Sequence, residues 1–198
     1  MSLITKLIEQ AKNPNGKVGS YMLTIMNSAH ATMNKWALEK IEICNESVVL
    51  DVGCGGGKTI QLLSKMNRNG KIHGIDYSEQ AVKDSRRVNK LDVEKGKVEI
   101  QLASVTHIPF QDRSFDVITA FQTHYFWPDL EYSVKEVFRI LKEDGCFIIV
   151  AEKFKIHYHM KEYKTKEEMQ GLLEQIGFNK VEFIISPNDK WICIKGIK

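Results

Sequence analysis

The chain has 198 residues, 43% hydrophobic and 27% charged, with a formal net charge of +3. These values fit one globular domain with its own core and exclude a disordered or fibrous chain. So small a positive excess does not nominate nucleic acid or an anionic membrane as a partner.

Cysteine usage argues for a reducing compartment. Cys44, Cys54, Cys146 and Cys193 are scattered, with no C-x-x-C pair and no histidine partner pattern, so neither a zinc site nor a disulfide framework is expected. The first 17 residues carry only a short amphipathic run and no small-residue cleavage site, unlike a signal peptide. No apolar stretch approaches the roughly 20 residues that span a bilayer. These features predict a soluble, cytoplasmic protein with no stable membrane insertion and no resident metal, a monomer or homodimer.

In chain order, a first amphipathic piece from Leu3 to Ala11 ends at Asn13-Pro14-Asn15-Gly16. Met22, Ile25, Met26, Ala29, Met33, Trp36 and Ala37 then recur at helical spacing and predict one helix from Gly19 to Lys40. Residues 1–40 are thus read as a helical cap in front of a domain over 41–198. That domain opens with the β-branched run Ser47-Val-Val-Leu-Asp-Val52, which stops at a glycine cluster. Strand-like runs follow at Lys71 to Asp76, Val98 to Leu102, Phe115 to Phe121 and Cys146 to Val150. Helical patterns alternate with them, at Ile60 to Met66, after Ser78 as N-cap, and from Leu130 to Leu141. Such β-α-β repetition predicts an α/β fold, doubly wound, with a mostly parallel sheet covered on both faces.

The tail departs from this alternation. Lys153 to Lys166 is charge-rich and reads as a solvated loop or lid. Thr165-Lys-Glu-Glu168 is a capping box that opens a helix ending at Gly177. Val181 to Ile185 and Trp191 to Ile197, joined across Pro187-Asn188-Asp189, read as two antiparallel strands.

The chemistry concentrates in Val48-Val-Leu-Asp-Val-Gly-Cys-Gly-Gly-Gly-Lys58. A strand running through glycines into a helix puts a sharp turn at the carboxyl edge of the sheet, where doubly wound folds bind ligands. The helix end presents free N–H groups suited to a carboxylate or phosphate. A dinucleotide fingerprint would need glycine where Lys58 stands, and a P-loop would need glycine where Val52 stands. Asp51, awkward beside a pyrophosphate, suits an ammonium group, and Asp76 at the end of the next strand suits ribose hydroxyls. S-adenosylmethionine carries a carboxylate, an ammonium and a ribose in that arrangement.

Leu50-Asp-Val-Gly-Cys-Gly-Gly-Gly57, Gly74-Ile-Asp-Tyr-Ser78, Ile108-Pro-Phe110, Ser114-Phe-Asp-Val117 and Leu141-Lys-Glu-Asp-Gly145 occur in the order and spacing of class I S-adenosylmethionine-dependent methyltransferases. The chain resembles their small-molecule branch, which includes ubiquinone and menaquinone biosynthesis enzymes. The resemblance implies a Rossmann-like seven-stranded sheet with an antiparallel C-terminal strand. It also implies S-adenosylmethionine as methyl donor, S-adenosylhomocysteine as product and a small-molecule acceptor. Asp51, Gly53, Cys54 and Gly55 would surround the methionine moiety, and Asp76 would hold the ribose. Tyr77, Ser104 and Val105 would meet the adenine, with Ser104 where the family often has Asp. Phe121 and the stretch to Trp127 would lie beside the methyl group, with His124 as candidate general base, Tyr125 as its catalytic neighbour and Trp127 walling the acceptor. Tyr21 and His30 of the cap would close the acceptor pocket. A nicotinamide-dependent oxidoreductase and a cofactor-binding regulator without turnover are the competing functions.

Overall fold

The computed structural model describes residue 10 and residues 13–198. The run predicted from Leu3 to Ala11 therefore lies outside the described residues, except for Gln10. Two helices come first, α1 (Gly16–Ala29) and α2 (Ala31–Leu38). The single helix expected from Gly19 to Lys40 is broken at His30, which caps the first helix and opens the second. Apolar spacing is blind to this break, because it allows α1 to lie over the sheet edge while α2 turns Met33, Ala37 and Leu38 into the core.

Seven strands follow: β1 (Val48–Val52), β2 (Lys71–Asp76), β3 (Val98–Leu102), β4 (Phe115–Phe121), β5 (Leu141–Glu152), β6 (Lys180–Ile185) and β7 (Trp191–Ile197). The intervening helices are α3 (Lys58–Met66), α4 (Glu79–Val88), α5 (Lys90–Glu94), α6 (Leu130–Ile140), α7 (Lys153–His159) and α8 (Lys166–Ile176). The sheet order is β3-β2-β1-β4-β5-β7-β6. Strands β1 to β5 are parallel, and β7 is antiparallel to both β5 and β6. This is the expected mostly parallel, seven-stranded arrangement.

Side-chain alternation divides two cores between the sheet faces. Leu50, Phe147 and Ile149 pack with Val134 and Val137 of α6 and Leu172 of α8. Val49, Ile148 and Val150 pack on the opposite face with Met33 of α2, Ile60 of α3 and Val82 of α4. The capping box forms as expected, with Thr165 Oγ1 accepting from Glu168 N and Glu168 accepting from Thr165 N. Within the solvated loop or lid expected over 153–166, residues 153–159 form α7 instead, burying only Ile156, while 160–165 stay irregular. One apolar anchor in seven residues leaves no period to read.

The parallel arrangement gathers the carboxyl ends of β1, β2, β4 and β5 along one edge. The loops at that edge, roofed by α1, make the site.

Candidate active site

At the end of β1 the chain turns on glycines. Gly53, Gly55 and Gly57 have φ of 75°, 51° and 78°. The turn is tied to the neighbouring strand, since Gly53 N and Cys54 N both donate to Ile75 O at 2.8 and 3.0 Å. A Cβ at Gly53 would stand 2.5 Å from Thr123 Cγ2, and Thr123 is pinned by donating to Val52 O at 3.0 Å. Gly53→Ala should therefore destabilise the chain by about 3 kcal/mol, from left-handed strain and the clash together. A loss under about 1 kcal/mol in urea denaturation would show that the turn relaxes.

Helix α3 begins at Gly57 with no side-chain cap, so its first N–H groups remain available to an anion. Asp76 ends β2. Its Oδ2 accepts from Gly55 N at 2.9 Å and its Oδ1 from Ser78 N at 2.9 Å. Burial raises the carboxyl above its ordinary range, against those backbone hydrogen bonds. Ser78 caps α4 by accepting from Ala81 N, and its hydroxyl donates to Pro14 O at 2.6 Å, holding the segment before α1 at the rim. On α1, Leu23 and Asn27 lie directly over the glycines. A Cβ at Gly56 would stand 2.5 Å from Asn27 Nδ2 and 3.3 Å from Leu23 Cβ.

Between these elements lies a cavity of about 470 Å³, within the usual range of small-molecule sites, roughly 300–1,000 Å³. One end, over β2 and β3, has Asp76, Tyr77, Ser104 and Val105 on its wall; the middle has Gly53, Cys54 and Gly55. The other end, over β4 and beneath the cap, has Phe121, Trp127 and His30. The structure therefore brings ten of the expected positions to one space. Ser104 Oγ is engaged with Thr106 Oγ1 at 2.8 Å. The Cys54 thiol is held well above its ordinary range, chiefly by burial and then by the nearby Asp76 and Asp51 carboxyls.

Four expected positions are off the wall. Asp51, 1% exposed, lies behind the turn and accepts from Thr119 Oγ1 at 2.7 Å. Burial raises its carboxyl to about 7, with the Thr119 hydrogen bond opposing and Asp76 adding. His124, expected as a general base, is 1% exposed and neither ring nitrogen has a hydrogen-bond partner among the described residues. Burial lowers its imidazole to about 3, so it does not take up a proton at neutral pH. Tyr125 turns inward as well, donating to Gln122 Oε1 at 2.5 Å and stacking on His159 at 5.3 Å; burial pushes its hydroxyl above the ordinary range. The cause is the short 3-10 turn His124–Phe126, which sends these two rings into the core and turns Phe126 and Trp127 to the cavity. Tyr21, expected at the acceptor, is 70% exposed on the outer side of α1.

Sequence reasoning missed Asn34, and gave Gln122 no role beyond its place in the stretch from Phe121 to Trp127; both are on the wall. Gln122 has φ of 60° and touches Met33 Sδ at 3.0 Å through Nε2. Asn34 donates to Thr59 Oγ1 at 3.2 Å, joining α2 to the first turn of α3. No local pattern marks Asn34 or singles out Gln122 within its stretch, since each is held by a contact distant in sequence.

Residues 43–189 match a family described as a methyltransferase domain. The methyltransferase YdaC of Bacillus subtilis is 30% identical over 122 residues, covering 61% of this chain and 65% of its own. The demethylmenaquinone methyltransferase of Lactobacillus johnsonii is 27% identical over 119 residues, covering 58% and 48% respectively. The chain thus spans 48% to 65% of the length of these curated relatives. A crystal structure of a SAM-dependent methyltransferase from Aquifex aeolicus superposes with a TM-score of 0.73 at 20% identity, covering 90% of this chain and 97% of that one. On the family match and the sheet order together, the chain belongs to the methyltransferase-domain family and has the Rossmann-like fold of S-adenosylmethionine-dependent methyltransferases.

Proposed function

We propose that this chain binds S-adenosylmethionine in the cavity and moves its methyl group, in line with the carbon–sulfur bond, to a small-molecule acceptor. The observation that carries the reading is the order of chemistry along one continuous cavity. A buried carboxylate at Asp76 suits ribose hydroxyls, the uncapped start of α3 suits the methionine carboxylate, and an aromatic end at Phe121, Phe126 and Trp127 suits a sulfonium. The cofactor supplies an already activated methyl and leaves as S-adenosylhomocysteine. What falls to the protein is alignment and exclusion of water. Leu23, Met26 and Asn27 of α1 roof the cavity, and Trp127 and Pro128 wall its far end. The cap thus forms part of the acceptor pocket. The likeness to a demethylmenaquinone methyltransferase supports a small organic acceptor.

Isothermal titration should give micromolar affinity for S-adenosylmethionine and S-adenosylhomocysteine and no signal with NAD. Tight NAD binding without a signal from either would overturn the cofactor. Release of S-adenosylhomocysteine across a metabolite panel should then identify acceptors. Binding without release on any member would favour a regulator over an enzyme.

A further inference from the structure

A second hollow lies where α7, the irregular stretch 160–165 and the start of α8 meet β6 and β7. It measures about 190 Å³ and shares no lining residue with the larger cavity. Its floor is apolar: Ile156 of α7, Met169 of α8, Phe183 of β6, and Ile192 and Ile194 of β7. Ile156 is the single buried residue of α7, so that helix is anchored at this hollow. The same helix reaches the acceptor end, where Lys155 Nζ is 3.0 Å from His30 Nε2 and His159 stacks on Tyr125.

The lip of the hollow carries one sign of charge. Lys153, His157, Lys164 and Lys166 line it, and no carboxylate does among the described residues. Asp189 pairs with Lys153 Nζ at 2.7 Å from its own exposed turn. Glu168 is turned to the backbone, accepting from Lys164 N at 2.7 Å and Thr165 N at 3.0 Å. Glu167, in the same turn, is exposed and off the lining. Neither Lys164 nor Lys166 makes an ion pair among the described residues. The first amides of α8, Lys166 N and Glu167 N, have no partner within their helix and add positive potential at this lip.

We propose that the hollow is a binding site for a single-chain anionic amphiphile, of which a medium-chain carboxylate is the simplest. Its tail lies on the floor of Ile156 and Ile194, and its head sits among Lys164, Lys166 and the start of α8. Methylenes gain free energy on leaving water for an apolar floor. At about 30 Å³ each, a water's share of the liquid, roughly six fit into 190 Å³. Lysine stems flank the tail while their ammoniums stay in water to meet the head. A cationic amphiphile meets like charge at the lip, and a neutral one leaves the lip unanswered. The occupant braces Ile156, and with it α7. This site does not depend on the methyl-transfer reading.

The probe is octanoate, monomeric at millimolar concentration, titrated calorimetrically into the full chain saturated with S-adenosylhomocysteine. It should bind with submillimolar Kd, at least about tenfold tighter than 1-octanol or butyrate, and octylamine should give no signal. Hydrogen exchange over residues 153–169 should slow when octanoate binds. Lys164→Glu with Lys166→Glu should weaken octanoate about tenfold or more, and it places an acid in the first turn of α8, which helices favour. Ile156→Phe, which fills the floor, should abolish binding; if it does not fold, the lysine pair still decides. S-adenosylhomocysteine affinity should stay within about twofold in each folded variant. Equal binding of octanol and octanoate, undiminished binding in the lysine variant, or competition with S-adenosylhomocysteine would each overturn the site. Sedimentation with phosphatidylglycerol vesicles without binding of monomeric octanoate would overturn it too, in favour of a lipid surface. If S-adenosylhomocysteine fails to bind the unmodified chain, the methyl-transfer reading falls, while the octanoate titration and the lysine pair still test the hollow.

Discussion

Replacing Asp76 with alanine should weaken S-adenosylhomocysteine binding by about 30-fold or more, whereas Ser104→Ala should cost about fivefold. The carboxylate is held in place by Gly55 N and Ser78 N, each at 2.9 Å, and faces the cavity. Two ribose hydroxyls donating to a fixed, buried carboxylate should contribute roughly 2–4 kcal/mol, against about 1 kcal/mol for one neutral hydrogen bond at Ser104. Ser104 also starts from a weaker position, because its hydroxyl is already engaged with Thr106. Asp76→Asn should fall between the two, keeping one acceptor but setting an amide donor near a backbone N–H. Calorimetry on variants that retain native circular dichroism measures all three. Equal losses at positions 76 and 104 would place the adenosine elsewhere.

Asp51 alone should withdraw stability from the cofactor-free chain as pH rises from about 4 to about 7, against the opposite slope that the buried neutral His30 and His124 give below about 6.5. Asp51 titrates near 3.8 when unfolded and near 7 when folded, because burial disfavours its charge. Between those values the unfolded chain has released the proton while the folded chain still holds it, so each step up in pH favours unfolding. Above about 7 both states are ionised and the contribution levels off. At roughly 1.4 kcal/mol per unit, the window amounts to about 4 kcal/mol. Asp76, also raised, adds in the same direction, so the difference in stability between the chain and Asp51→Asn, taken at each pH, isolates the Asp51 slope. Urea unfolding at pH 5, 6, 7 and 8 provides the measurement. Saturating S-adenosylhomocysteine should flatten the Asp51 slope, if its ammonium stabilises the Asp51 carboxylate. A slope indifferent to ligand would put the ammonium away from Asp51, and one indifferent to Asp51→Asn would remove Asp51 as its source.

Those two carboxyls and the glycines between them are legible in sequence for a local reason. A β-branched strand that meets glycines and continues as a helix can make only a few kinds of turn, and the left-handed angles at Gly53, Gly55 and Gly57 belong to glycine chemistry. Helix caps at Ser78 and Thr165 are local in the same way, each closing a hydrogen bond three residues on. The alternation of strands and helices carries the sheet, since parallel neighbours require crossovers.

The acceptor end follows other rules. His124, Tyr125 and Trp127 are near neighbours in a stretch that reads equally well as pocket or as packing. The three-residue turn after β4 and the stacking of His159 from α7 decide which rings go inward. Period alone makes one helix of Gly19 to Lys40, but the docking of Pro14 on Ser78 and of Asn27 over Gly56 sets a cap that breaks at His30. The partner that fixes the His30 ring, Lys155, lies far along the chain in a segment whose charge reads as solvent-facing. The glycine turn, the helix caps and the alternation of strands with helices follow from residues close in sequence, whereas the strand order and the direction of a side chain at the acceptor end are outcomes of packing between distant segments. The cofactor end of the site is therefore written locally, and the acceptor end exists only once α1, β4 and α7 have met.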